Sequence, residues 1–164
     1  MKKMTFVLLL GLIVLVAFSS AQGQITATGI SAFSGTFKTV AMGQERVQMT
    51  YEVLGANISD TGEDIFHNTS LRCVGSIHAI KGVYEDGSNG FCVTTRPDGD
   101  QIFFTIKSSG ALGRGSKGTF TYVGGTGKMT GLQGGGEYTE FVLRPAVEGT
   151  FQGYNRFKGQ YKLP

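Results

Sequence analysis

The stretch RVQMTYEV, residues 46–53, alternates between polar and apolar side chains. Its apolar positions are Val47, Met49, Tyr51 and Val53. A two-residue period is typical of a β-strand with one dry and one solvated face, because successive side chains of a strand point in opposite directions. The stretch therefore predicts a strand, and most of the chain that follows it has a similar pattern.

Other segments also have the composition of strands: Ile25–Ile30, Phe33–Val40, Leu71–Gly82, Phe91–Thr95, Gln101–Lys107, Gly118–Gly124, Gly136–Leu143 and Gln152–Leu163. Turn residues separate them at Glu85–Ser88, Arg96–Asp100 and Ser109–Gly110. Strands at this spacing predict an all-β fold, either a barrel or a sandwich. A single antiparallel β-barrel of about eight strands is favoured, because glycines within strands relieve crowding where strands bend to close.

The first residues have the pattern of an export signal. Two lysines precede an apolar run at residues 5–18, and three small residues follow it at 19–21. The run is shorter than the roughly 20 residues that span a bilayer. We expect residues 1–21 to be a cleaved signal peptide of bacterial type and residues 22–164 to form one barrel domain without a membrane span. The mature protein would then be secreted or periplasmic.

Composition and charge exclude several classes of protein. The 26 glycines have no three-residue period, which excludes collagen, and a 40% hydrophobic content excludes simple disorder. Without Lys2 and Lys3, 13 of the 15 basic residues remain against 12 acidic ones. A nearly neutral domain lacks the basic surface that nucleic acids require, so we expect no nucleic-acid partner.

The chain has two cysteines, Cys73 and Cys92. An even number of cysteines in an exported protein favours a disulfide between them. If Glu85–Ser88 forms the tip of a hairpin, however, Cys92 lies opposite the region of Lys81 rather than opposite Cys73. Two buried free thiols therefore remain the alternative.

Three short motifs match cofactor or metal sites only formally. The pattern GxGxxG at 113–118 lacks the strand–turn–helix context of a dinucleotide site. The run GTGK at 125–128 is followed by Met129, where a phosphate loop needs Ser or Thr. The run DGD at 98–100 lacks the distal Glu of a calcium loop. We interpret all three as turns, and we predict no cofactor and no metal.

The stretch GGTGKMTGLQG at 124–134 resembles the late motif of the allene oxide cyclase and dirigent barrels. The runs GVY at 82–84, DGDQIFF at 98–104 and GRGSKG at 113–118 are similar to middle segments of that superfamily. The resemblance is strongest to secreted bacterial members. It implies an antiparallel barrel of the calycin kind, often dimeric or trimeric, with an apolar cavity.

Within this motif, the resemblance carries over the glycines and Lys128 as structural residues. Glycine permits tight bends and close backbone approach. The structural positions are Gly124, Gly125, Gly127, Gly131 and Gly134. Dirigent proteins tend to have arginines where this chain has Thr130 and Gln133, so the resemblance implies no catalytic residue.

Aromatic strand residues are candidates for the wall of a cavity. A small barrel either encloses a cavity or fills its interior with side chains, and both outcomes remain open. The pocket candidates are Tyr51, His78, Phe104, Tyr122 and Tyr138, with Phe91 and Phe120 as further aromatic candidates. His78 contributes only if it points inward. For Arg72, Asp100, Glu137, Glu140 and Arg144, a solvated outer face is favoured over a role as polar partners.

Three functions follow from these observations. The favoured one is a non-catalytic carrier that binds a small apolar ligand in the barrel cavity. The second is a cyclase or isomerase of the allene oxide cyclase or dirigent kind, which requires an ionisable group inside the cavity. The third is an interaction module of the cell envelope, acting through its outer surface or as a homo-oligomer. No catalytic constellation is visible in the sequence.

Overall fold

The computed structural model describes residues 23–164, which form a single antiparallel sheet. Its strands are β1 (Ile25–Ala41), β2 (Arg46–Ser59), β3 (Thr69–Ile80), β4 (Val83–Thr95), β5 (Gln101–Ala111), β6 (Gly115–Gly125), β7 (Gln133–Leu143) and β8 (Thr150–Lys162). Each strand pairs with the next one in sequence, and β8 pairs with β1, so the sheet closes into a barrel. The predicted antiparallel β-barrel is confirmed. The expected signal peptide, residues 1–21, lies outside the described residues.

The first strand is longer than predicted. The segments Ile25–Ile30 and Phe33–Val40 belong to one continuous strand, because β1 pairs with β2 and with β8 without a break through Ser31 and Ala32. Ser31 points into the barrel, where its hydroxyl donates a hydrogen bond of 2.5 Å to Oδ1 of Asn57. A satisfied polar residue thus continues the strand where the sequence indicated an interruption.

The chain reverses between β3 and β4 at Lys81 and Gly82, which have positive φ angles of 53° and 77°. The predicted turn at Glu85–Ser88 is therefore wrong. These residues lie within β4, where the pairing register with β5 shifts between Tyr84 and Ser88. The Asp and Gly residues of this segment lie at an irregularity within a strand. Such residues occur at strand irregularities as well as in turns.

The earlier reversal brings the two cysteines together. Cys73 and Cys92 are Cα partners across β3 and β4, and their sulfur atoms are bonded. The predicted disulfide is confirmed, and the alternative of two free thiols is wrong. The bond suits the oxidising compartment expected of an exported protein.

Of the two remaining turn predictions, one is correct. The chain reverses at Arg96–Asp100, where the Arg96 N–H donates to the carbonyl of Asp100 over 2.9 Å. The predicted turn at Ser109–Gly110 lies instead within β5. The reversal comes after β5 ends at Ala111, where Gly113 supplies the positive φ of 74°.

Apolar side chains fill one end of the barrel. Ile65 and Phe66 from the β2–β3 connection are buried there with Met129 and Leu132 from the β6–β7 connection. They pack against strand residues that include Ala27, Ile102, Phe120, Tyr122 and Tyr161. We call this cluster the plug, and it closes the barrel at the end where these two connections lie.

The glycine motif forms the β6–β7 connection, which supplies Met129 and Leu132 of the plug. A Cβ atom on Gly127, whose φ is 52°, would collide with the carboxylate of Asp100. The Asp100 carboxylate accepts the Lys128 N–H over 2.9 Å, and the Lys128 ammonium donates to Asp98 over 3.0 Å. These contacts tie the connection to the β4–β5 turn and direct Met129 into the barrel. The other motif glycines, at 124, 125, 131 and 134, flank this segment.

A hydrogen-bonded layer lies in the interior beside the plug. Nδ2 of Asn57 donates to Oγ1 of Thr69 over 3.0 Å and to Oγ1 of Thr94 over 3.2 Å. Thr69 in turn donates to the carbonyl of Phe66 over 2.9 Å. These buried polar groups satisfy one another, as burial requires. They also attach the β2–β3 connection to the barrel wall.

Removing the disulfide should destabilise the barrel by about 3 kcal/mol, because the bond closes a loop with a sequence separation of 19 and so restricts the unfolded chain. The variant is Cys73→Ala/Cys92→Ala, and guanidinium denaturation gives the free energy of unfolding. Reduced wild-type protein is the control, because it lacks the bond but keeps both sulfur atoms and their packing. Its free energy of unfolding should fall by a similar amount. A loss below about 0.5 kcal/mol in both would contradict this role of the cross-link.

Candidate functional site

The half of the barrel beyond the plug encloses a cavity of about 330 Å³. Phe37 and Val142 line it and are 41% and 37% exposed, so the cavity opens to solvent at the end opposite the plug. A smaller cavity of about 60 Å³ lies closer to the plug and shares wall residues with the first, among them Leu71, Ile106 and Tyr138. The larger volume lies within the range of small-molecule sites, about 300–1,000 Å³. The barrel is therefore filled at one end and hollow at the other.

Most of the cavity wall is apolar. Phe151 contacts both Phe33 and Phe37, with ring centroids 6.1 Å apart in each pair. Aliphatic residues complete the wall, among them Val53, Leu71, Ile77 and Ile106. Such a surface favours an apolar molecule, because the removal of apolar surface from water lowers the free energy of the system.

Glycines on the inner face make room for a tyrosine. A Cβ atom on Gly75 or on Gly90 would collide with the hydroxyl of Tyr51. The two glycines are Cα partners across β3 and β4, so the Tyr51 side chain lies over backbone. The phenol therefore remains along the wall instead of filling the centre of the cavity.

A single carboxylate projects into this apolar space. Glu140 on β7 accepts a hydrogen bond of 2.5 Å from the hydroxyl of Ser116. Among the described residues that line the cavity, Glu140 is the one acidic side chain, and none is basic. Burial raises the pKa of the Glu140 carboxyl, and the hydrogen bond from Ser116 opposes the rise. The cavity thus contains an ionisable group whose charged form is disfavoured.

Three tyrosines line the same cavity as Glu140: Tyr51, Tyr84 and Tyr138. Burial raises the pKa of each phenol, and the negative charge of Glu140 raises it further. Neighbouring hydroxyls oppose this effect, from Ser88, Ser108 and Ser116. All three phenols are therefore protonated at neutral pH and are able to donate hydrogen bonds.

Asn155 is the cross-strand neighbour of Glu140. The two residues are Cα partners across β7 and β8, and both line the cavity. Side chains on one face at such positions have Cβ atoms about 4.5–5.5 Å apart. Oδ1 of Asn155 is buried and has no hydrogen-bond partner among the described residues. A buried acceptor without a partner costs free energy, which a ligand that donates a hydrogen bond would recover.

The structure brings three of the five pocket candidates to the cavities. Tyr51 and Tyr138 line the larger cavity, while Phe104 lines the smaller one together with Phe120 and Tyr138. Tyr122 lies instead in the plug, where its ring stacks on Phe66 with centroids 5.9 Å apart. It is buried in the closed end of the barrel and does not line either cavity.

His78 does not belong to the site. It is exposed on the outer face of β3, because the inner face of that strand carries Leu71, Cys73 and Ile77 at odd positions. Phe91, a further aromatic candidate, is also on the outer face and is 48% exposed. Side chains alternate between the two faces of a strand, but the sequence did not specify which face is the inner one at these two positions.

The expectation that Glu140 faces solvent is wrong. Tyr138 was an expected wall residue, and Glu140 lies two positions further along the same strand, so the alternation that places one inside also places the other there. Tyr84 and Asn155 were not predicted at all. Tyr84 was missed because the turn was placed next to it, at Glu85–Ser88.

The other polar candidates lie outside the cavity. Arg72 forms an ion pair of 2.8 Å with Glu52 on the outer surface. Asp100 belongs to the β4–β5 turn, and Glu137 and Arg144 are exposed. Within the part of the chain that the structure describes, no group of three or more His, Cys, Asp or Glu side chains is arranged to hold a metal ion. No helix of residues 23–164 is long and apolar enough to cross a membrane.

Comparison with known proteins gave no match, either to a family model or to a curated protein. The site is therefore described by its geometry alone. It consists of the hollow half of the barrel, an aromatic wall, and one carboxylate beside an amide oxygen that has no hydrogen-bond partner among the described residues.

Replacing Glu140 with Gln should stabilise the fold at neutral pH but not in acid. The folded protein raises the pKa of this carboxyl, so ionisation costs more in the folded chain than in the unfolded chain. Below the ordinary value of about 4.5 the carboxyl is protonated in both states and costs nothing. As the pH rises through the raised pKa, wild-type protein loses stability relative to Glu140→Gln. Thermal unfolding of both proteins, from acid below the ordinary pKa to neutral pH, measures the difference in their stability.

Glu137→Gln is the matched control, because it removes the same charge from the outer face of the same strand. Because the Glu137 side chain is exposed, we expect Glu137→Gln to lack the stabilisation at neutral pH that Glu140→Gln shows. A Glu140→Gln difference that is constant with pH, or that favours wild type at neutral pH, would contradict the buried position of this carboxyl.

Proposed function

We propose that the protein binds a small apolar molecule in the open half of its barrel. The single observation that carries this proposal is the cavity of about 330 Å³, which has a mostly apolar wall and a few convergent polar groups. A filled barrel would have no volume for a ligand. Here the plug fills only one end, so a molecule that enters from the other end would rest above the hydrogen-bonded layer of Asn57, Thr69 and Thr94.

The polar groups would orient the ligand. Tyr51, Tyr84 and Tyr138 supply phenol donors, and Asn155 supplies a buried oxygen without a partner among the described residues. A ligand with a polar end is therefore favoured over a pure hydrocarbon, since its polar end would pair with these groups. The apolar part would lie against Phe33, Phe37 and Phe151.

As part of this proposal, the protein acts as a carrier outside the cytoplasm, either secreted or periplasmic. The disulfide between Cys73 and Cys92 supports such a location, because disulfides persist in oxidising compartments. The resemblance to the allene oxide cyclase and dirigent barrels supports a cavity function as well, since it implies a closed antiparallel barrel. Membership of that superfamily is a proposal, carried by the motif at residues 124–134 and the fold.

A second candidate function is a cyclase or isomerase, and Glu140 is the observation that favours it. An enzyme of this kind requires an ionisable group within the cavity, and Glu140 provides one with a raised pKa. Next to the phenols of Tyr84 and Tyr138, its carboxyl would transfer a proton to or from a bound molecule. The carrier is favoured because an isolated carboxyl with hydroxyl neighbours also serves binding alone.

The test is to block the cavity with a bulky side chain at its opening. Val142→Trp adds volume inside, because Val142 lines the cavity, whereas Leu143→Trp on the next position of β7 adds the same group to the outer face. The probe is prodan, an uncharged naphthalene dye whose fluorescence shifts in an apolar environment. We expect saturable binding to wild type, a loss of affinity of about tenfold or more in Val142→Trp, and unchanged binding in Leu143→Trp.

The result would be read together with protein stability. Thermal unfolding of both variants shows whether the barrel still folds, and dye binding is compared only between folded proteins. Absence of saturable dye binding to wild type, or equal losses in the two variants, would contradict the proposal. For the enzyme alternative, mass spectrometry of molecules that co-purify from the native host distinguishes a retained ligand from a converted one.

A further inference from the structure

We infer that the cavity selects small apolar molecules that carry a protonated amine, with the ammonium group held between Glu140 and Asn155. This inference rests on the proposed function and specifies its ligand class. It follows from the charge of the wall, the position of two hydrogen-bond acceptors, and the aromatic rings that line the same cavity.

The charge of the cavity wall is the first argument. Glu140 is the one acidic residue among the described wall residues, and no Lys, Arg or His lines the cavity with it. The described ion pairs of the chain do not include Glu140, and its one hydrogen bond in the structure comes from the neutral hydroxyl of Ser116. A carboxylate in an apolar site gains most from a cation, because the attraction between opposite charges is stronger where water is excluded. A ligand with a carboxylate would instead be repelled.

The pKa of Glu140 supports the same conclusion. Burial raises it, which means that the apolar surroundings disfavour the carboxylate form. A bound cation would lower it again, because an opposite charge nearby favours the ionised carboxyl. Binding of an amine would therefore remove a cost that the free protein carries.

The arrangement of acceptors is the second argument. Glu140 and Asn155 are cross-strand partners on the inner face of β7 and β8. Oδ1 of Asn155 is a buried acceptor that lacks a partner among the described residues, so two acceptors stand side by side in the wall. An ammonium group has three donors and no acceptor, whereas a hydroxyl group has one donor. An ammonium group can therefore donate to both acceptors at once.

The aromatic rings are the third argument. Phe33, Phe37 and Phe151 pack together in the wall of the same cavity, and Tyr51 and Tyr138 belong to it as well. The faces of aromatic rings attract cations, more strongly where water is excluded. Basic residues also lie near this end of the barrel, among them Arg46, Lys81, Arg114 and Arg144. All four are exposed, and solvent screens exposed charges.

The experiment compares three naphthalene probes of similar size and different charge: naphthylmethylamine, naphthylmethanol and naphthoic acid. Isothermal titration calorimetry at neutral pH gives the affinity of each probe for the full folded protein. We expect the amine to bind about tenfold or more tightly than the alcohol, because hydrogen bonds to charged groups are stronger than neutral ones. The acid should bind more weakly than the alcohol.

Two variants test whether Glu140 causes the preference for the amine over the alcohol. Glu140→Gln should bring the affinities for amine and alcohol within a few-fold of each other, since the amide has no charge to offer. Glu137→Gln, on the outer face of the same strand, should retain the full preference of wild type. Thermal unfolding and prodan binding confirm that each variant is folded with an open cavity.

The outcomes separate this inference from the proposed function. If alcohol and amine bind equally well, or if the preference survives in Glu140→Gln, the inference is overturned while the carrier proposal stands. Tighter binding of the acid than of the amine would overturn it too. If neither prodan nor naphthylmethanol binds to the cavity, the carrier proposal itself fails.

Discussion

Closure of the sheet is the constraint from which the other features follow. Twelve register pairs join β1 to β8, from Ile25 with Tyr161 to Thr36 with Thr150, and they leave no open edge in the sheet. In a closed barrel, the two-residue period of each strand places every second side chain in a shared interior. Residues far apart in sequence therefore meet there, as Tyr51 from β2, Tyr84 from β4 and Glu140 from β7 do.

The interior is divided by the size of its side chains. At one end, Phe66 and Met129 enter from connections and complete a plug, while at the other end the wall residues leave a cavity open to solvent. Glycines opposite Tyr51 keep its ring against the wall. The hollow half contains one carboxylate within an apolar surface, so charge and apolar area together define what the cavity accepts.

The sequence predicted the fold well and the site in part. Alternation at residues 46–53 and the regular turn signals sufficed for the barrel, since both are local properties of the chain. The turn at Glu85–Ser88 was misplaced because Asp and Gly also occur at irregularities within strands, and this error hid Tyr84. Glu140 was expected outside because a charged residue usually faces solvent. Which residues pair across strands, such as Glu140 with Asn155, depends on register, and no local pattern specifies it.

The central claim is that an apolar molecule binds inside the barrel rather than on its outer surface. Intermolecular nuclear Overhauser effects between bound prodan and assigned methyl groups test it most directly. Val53 and Ile106 face the cavity, whereas Leu54 and Val74 are 60% and 48% exposed on the outer face. The account predicts contacts from the dye to the methyl groups of Val53 and Ile106 and none to those of Leu54 and Val74. Contacts to the outer pair alone would contradict it.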